Sequence, residues 1–271
     1  AQLFEQAAGR FHTCGDEQGK ADCYVGTGRL ALRGGRAGVA RRNLHQAEQM
    51  MRKLGNAEGL GHVLLLLAEV SEVEGDLQAA QRHLYAARKA FEGAENALGE
   101  ARAIGELGHI AQAQGELAAA QEMFALYLER AESLGDIPAA AQARANLGHA
   151  MVRLQNYSAA LEPLLIARSA TEDLKDQMSL AIIEAILVGT LSRLEQWEDA
   201  CSILTSSLET VRSLEIYDID IAESLELAAD SQGARDGMGS QFVILIEEAA
   251  RQWRNLGRLE RADSILSRHT G

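Results

Sequence analysis

Aromatic side chains make up 4% of the 271 residues, proline occurs twice and cysteine three times. So few rings exclude an interior built on large aromatic contacts, and any core must come from close approach of small side chains. The cysteines, Cys14, Cys23 and Cys201, are odd in number, widely spaced and form no CxxC. They suggest no disulfide framework and fit a reducing cytoplasm. Apolar runs are short: VLLLLA at 63–68 and FVILI at 242–246 fall well below the roughly 18 residues that a membrane helix needs. No basic-then-apolar leader opens the chain. The expected location is therefore cytoplasmic, with no membrane partner.

What the sequence does hold is helix-forming: Ala, Leu, Gln, Glu and Arg dominate, and 47% of residues are hydrophobic. This composition predicts an all-α protein. Its charge is unevenly spread. Against 39 Asp/Glu stand 26 Lys/Arg, a net of −13, yet residues 1–60 carry nine basic and six acidic groups. Residues 171–230 carry three and fourteen, a net of −11. Nucleic acid is excluded as a partner, since its phosphates would meet a repulsive field over most of the surface. The acidic half reads either as a solvated face or as a dock for a basic protein segment, with head-to-tail self-association as a third option.

Two stretches, GHIAQAQGELAAAQEMF from Gly108 and GHAMVRLQNYSAALEPL from Gly148, expose a repeat, since 148 − 108 = 40. Blocks beginning at 21, 61, 101, 141 and 181 align without gaps. Their twentieth position is Ala40, Ala80, Ala120, Ala160 and Ala200. The eighth is Gly28, Ala68, Gly108, Gly148 and Val188, and the twenty-fourth is Leu44, Leu84, Phe124, Leu164 and Leu204. Spacings of three and four place these positions on one face of each of two helices, joined by turns such as QGEL or EGDL. One pair cannot bury its face alone, so neighbouring pairs must stack.

The pattern resembles the tetratricopeptide repeat, through Leu107-Gly108 with Ala111, Ala120 with Phe124, Leu147-Gly148 with Met151, and Ala160 with Leu164. A 40-residue spacing is similar to that of a long-spacing subgroup found in cell-polarity adaptors and bacterial signalling regulators. Longer second helices ending in Leu-Gly are expected to supply the extra residues. The resemblance implies a right-handed α-solenoid, a superhelix of antiparallel helix pairs forming one domain over 1–271. Its expected parts are a lone second helix at 1–16, repeats at 21–60, 61–100, 101–140, 141–180 and 181–220, an irregular repeat at 221–257 and a terminal helix at 258–271. Three glycines at 233–239 predict a mobile connection there. Pro163 should bend or delay its helix. The start without Met, partway through a repeat, reads as a piece of something longer.

Chemistry is scarce. A metal shared by His109 and His149 would need both imidazoles about 2 Å from the ion and a third ligand, and no Cys or carboxylate stands at matching spacing. Repetition explains the pair. GTGRLA at 26–31 mimics a dinucleotide fingerprint, but it lies inside a helical block rather than after a strand. No GxSxG, HExxH or P-loop is present. The chain is therefore expected to be no enzyme, with no cofactor and no metal.

A surface remains. Positions 2, 5, 6, 9, 12 and 13 of each first helix face away from the small packing positions, and in tetratricopeptide proteins that face lines the concave groove. Here it carries Arg29, Arg33, Glu69, Glu72, Arg102, Glu106, His109, Gln112, Gln142, Asn146, His149, Arg153 and Arg193. Donors and acceptors one repeat apart suit an extended protein or peptide segment, and Asn146 precedes Leu-Gly where family members grip peptide backbone. The clamp for a C-terminal carboxylate is missing, because Gly105, His109, Ile182 and Ile186 occupy its positions. Two functions follow: a scaffold binding a protein segment, centred on Arg102, Glu106, Asn146, His149 and Arg153, or the effector-sensing arm of a larger signalling protein such as an ATP-dependent regulator or kinase.

Overall fold

A computed structural model describes residues 11, 13 and 15–269. Among them the regular structure is entirely helical. Unit 1, ending at Gly135, holds α1 (Glu17–Arg33), α2 (Ala37–Leu54), α3 (Ala57–Val73), α4 (Leu77–Gly93), α5 (Ala97–Gln114) and α6 (Leu117–Ser133). Unit 2, from Asp136, holds α7 (Ile137–Arg153), α8 (Tyr157–Asp173), α9 (Gln177–Arg193), α10 (Trp197–Ser213) and α11 (Ile219–Ala229). It continues through α12 (Ala234–Met238), α13 (Gln241–Asn255) and α14 (Leu259–His269). Each is a compact unit in which antiparallel pairs stack serially, the arrangement of an α-solenoid.

The pairs close as the periodicity requires. Ala40, Ala80, Ala120, Ala160 and Ala200 are all fully buried. A methyl group on Gly28, Gly108 or Gly148 would stand 2.7, 2.5 or 2.6 Å from Leu44, Phe124 or Leu164, so the eighth position packs directly under the twenty-fourth. Between pairs, Phe91 of α4 wedges against Gly61 of α3 and Gly99 of α5. Unit 1 buries a cluster running from Ala21 to Ile110, and unit 2 one running from Val152 to Ile265.

Turns repeat on a shorter beat than the pairs. Every twentieth residue from Gly15 to Glu215 has a positive φ, five of them without being glycine: Glu95, Gln155, Lys175, Glu195 and Glu215. This left-handed residue ends one helix, and an Asp or Asn often caps the next. Asn56, Asp76, Asn96, Asp136 and Asp176 each accept a hydrogen bond from the N–H three residues on. Both helices of a pair are 17 or 18 residues long, so the extra length is shared equally rather than carried by the second helix.

Three other expectations need adjustment. Pro163 lies inside α8, which nonetheless starts on the common beat at Tyr157 and is not delayed. The glycine stretch forms a helical turn, α12, with Ala234 and Met238 buried and Gly237 beneath the Trp197 ring. A Cβ on Gly237 would meet that ring at 2.4 Å, while Gly233 and Gly239 take positive φ. The lone second helix at 1–16 lies outside the described residues apart from Phe11, Thr13, Gly15 and Asp16.

Candidate functional site

In unit 1 the outward positions of α3 and α5 converge. Glu69, Glu72, Arg102 and Glu106 line a cleft of about 280 Å³, whose walls are Leu65, Leu66, Ala68, Leu84 and Ile110. The polar residues reach it because α3 and α5 are first helices of successive pairs, presenting equivalent faces one repeat apart. The apolar wall had no signal of its own in the sequence, since its residues look like ordinary packing positions.

Crowding defines the electrostatics. Burial pushes the Glu106 carboxyl above the usual range; Arg102 opposes that shift and Glu69 adds to it. Burial also raises Glu72, reinforced by Glu106 and Glu69 and opposed by His109. Three carboxylates thus face one another with Arg102 as counter-charge, a site that gains from a further cation. His109 is exposed and stands edge-on to Phe124 at 5.1 Å, as His62 does to Phe91 at 5.0 Å. Its neighbour Gln112 is half-buried, while Arg29 and Arg33 of α1 are exposed and outside the cleft.

Unit 2 treats the same positions differently. His149 is 7% exposed, its Nδ1 3.7 Å from Oδ2 of Asp220 on α11. Gly189, at the matching position of α9, is covered: a methyl there would meet the Ser224 carbonyl of α11 at 2.8 Å. Ala185, Ile186 and Ser192 are buried on the same face. The short helix α11 therefore seals the face of α9 that the repeat pattern assigns to the groove. Gln142 and Arg153 remain exposed, Asn146 is half-buried, and Arg193 lies over the Tyr157 ring at 5.5 Å.

Among the described residues no group of three His, Cys, Asp or Glu is placed to hold a metal, and no helix is long and apolar enough to cross a membrane. Cys23 and Cys201 are free thiols, both raised above the usual range by burial.

No family model and no curated protein matches the sequence. Solved structures do match. The apo form of RapI is similar with a TM-score of 0.72 and 16% identity, over 91% of this chain and 94% of that one. A signal transduction ATPase with numerous domains and a tetratricopeptide repeat sensor, from Pyrococcus horikoshii, gives 0.74 and 12% over 94% of this chain and 38% of its own. A Rap protein complexed with competence and sporulation factor gives 0.60 and 15% over 92% and 74%. At these identities the likeness is one of architecture, and that architecture is of the tetratricopeptide-repeat type.

Proposed function

We propose that the chain is a non-enzymatic, cytoplasmic scaffold of the long-spacing tetratricopeptide subgroup, binding a segment of another protein along the open face of α3 and α5. The observation that carries this reading is the cleft in which Glu69, Glu72, Arg102 and Glu106 meet above an aliphatic wall. Desolvated carboxylates beside apolar surface suit a Lys or Arg side chain, whose stem packs while its charge is neutralised. Arg102 and the neighbouring polar residues then face the segment's backbone and acidic groups. The binding stretch is centred in unit 1, because α11 covers the corresponding face of α9.

Panning a random peptide display library against the full chain tests this. Enrichment of Lys- or Arg-containing segments, lost with Glu69→Gln combined with Glu106→Gln, is the expected result. Enrichment that survives the double variant would count against the cleft.

A second reading is the effector-sensing arm of a larger signalling protein, favoured by the likeness to a protein described as carrying a tetratricopeptide repeat sensor. Sedimentation with and without an enriched peptide separates the two. A ligand-driven change in assembly state favours the sensor, and an unchanged state the scaffold.

A further inference from the structure

The outer face of α8 departs from the repeat. Leu165 and Ile166 are each 43% exposed. The equivalent pair is His45–Gln46 in α2, Tyr85–Ala86 in α4, Ala125–Leu126 in α6 and Thr205–Ser206 in α10; each has at most one large apolar side chain, so the packing of helix pairs does not call for two large aliphatic ones there. Carboxylates flank them along the same face, Glu162 toward the start of α8 and Glu172 with Asp173 at its end, all exposed. The last turn of α8 contains no basic residue. Carboxylates in that turn meet the negative end of the helix dipole and weaken the free helix. The single cation of α8, Arg168, is turned inward, donating to Glu184 of α9 at 2.8 and 2.9 Å. Ser206 of α10 donates to the same carboxylate at 3.4 Å, so Arg168 and Glu184 are held in a shared network away from the patch.

We propose that this face of α8 docks a basic amphipathic helix from another protein. Its apolar stripe would cover Leu165 and Ile166, and Lys or Arg along its margins would meet Glu162, Glu172 and Asp173. Charge complementarity selects the occupant: an acidic margin around an apolar centre repels an acidic helix and gives a purely polar one no anchor. Pairing with a cation also relieves the dipole penalty at Glu172 and Asp173, a gain available only in the complex. The surface belongs to unit 2, and the cleft of the proposed function to unit 1.

The test uses the full chain and a labelled synthetic helix with leucines on one face and lysines along both margins, read by fluorescence anisotropy. Leu165→Ser with Ile166→Ser is expected to weaken binding by about tenfold, with helicity unchanged, because the lost contact is the apolar anchor. Glu172→Gln with Asp173→Gln is expected to flatten the salt dependence of binding. Unchanged affinity in the Leu165/Ile166 variant overturns the proposal. So does equal binding of a same-composition peptide whose leucines are scattered, which would reveal diffuse attraction alone. Loss of binding on Glu69→Gln with Glu106→Gln would place the probe in the cleft instead. Concentration-dependent dimerisation that Leu165→Ser with Ile166→Ser abolishes would assign the face to a second copy, and would equally overturn it.

Discussion

A single missing methyl decides whether a helix pair can close. The Cβ that Gly108 lacks would lie 2.5 Å from the ring of Phe124, which is itself fully buried. Gly108→Ala should therefore cost about 1–3 kcal/mol by overpacking, measured as a lower denaturant midpoint with an unchanged slope. Gly38→Ala is the matched control. Nothing lies within 4 Å of that position, in the first turn of α2, so the added methyl should stabilise by about 0.4–1 kcal/mol. Glu106 gives a second test at this scale. Its carboxyl is raised in the folded state, so the folded chain holds its proton more tightly than the unfolded chain does. The cost of ionising it is absent below the unfolded value of about 4.3 and grows as pH rises through the raised folded value. Glu106→Gln should then raise the melting temperature near neutral pH. That advantage should vanish at about pH 4, and thermal melts across the range check both ends.

At the scale of elements, α8 carries a defect that its neighbours lack. Pro163 is the seventh residue of a 17-residue helix, and its missing N–H leaves the Ala159 carbonyl without the donor four residues on. Pro163→Ala should stabilise by about 1–3 kcal/mol, read by chemical denaturation, and no gain would mean that α8 already bends around the ring at little cost. How much of the elements the sequence revealed depends on what held each one. The fully buried alanines and the glycines under Leu44, Phe124 and Leu164 were readable, because packing within a pair is local and periodic. The shorter beat was also legible in Gly15, Gly35, Gly55, Gly75, Gly115 and Gly135, although the 40-residue pattern conceals it. The sealing of α9 was harder to see. Its covering element, α11, is the shortened 11-residue helix that opens the irregular repeat, and the one clue was that α9 reads apolar on every side, as a helix buried all round does. His149 shows the same effect: its position in the row predicts an open face, and Asp220 of α11 stands 3.7 Å from its Nδ1.

For the whole molecule, charge is the property that acts beyond any one contact. A net of −13, with fourteen acidic groups in residues 171–230, places the folded chain under self-repulsion. Added sodium chloride should raise the melting temperature by screening it. A fall would mean that pairs such as Arg168–Glu184 and Arg212–Glu248 outweigh the repulsion. Composition and period were enough to read an all-helical stack, because each pair needs only its neighbours. The site was less legible: of the expected row the fold gathers Glu69, Glu72, Arg102 and Glu106 in one cleft, and it leaves the rest either outside that cleft or in unit 2.

The left-handed residue recurring at intervals of twenty also limits how this sequence can change in length. One residue inserted within a helix would rotate everything downstream in that helix by about 100° and would carry the following cap away from the carbonyls it must meet. Insertions or losses that keep each small position under its large partner must come in whole pairs, two intervals at a time. Gene duplication, rather than gradual lengthening, is the route by which such a chain can grow.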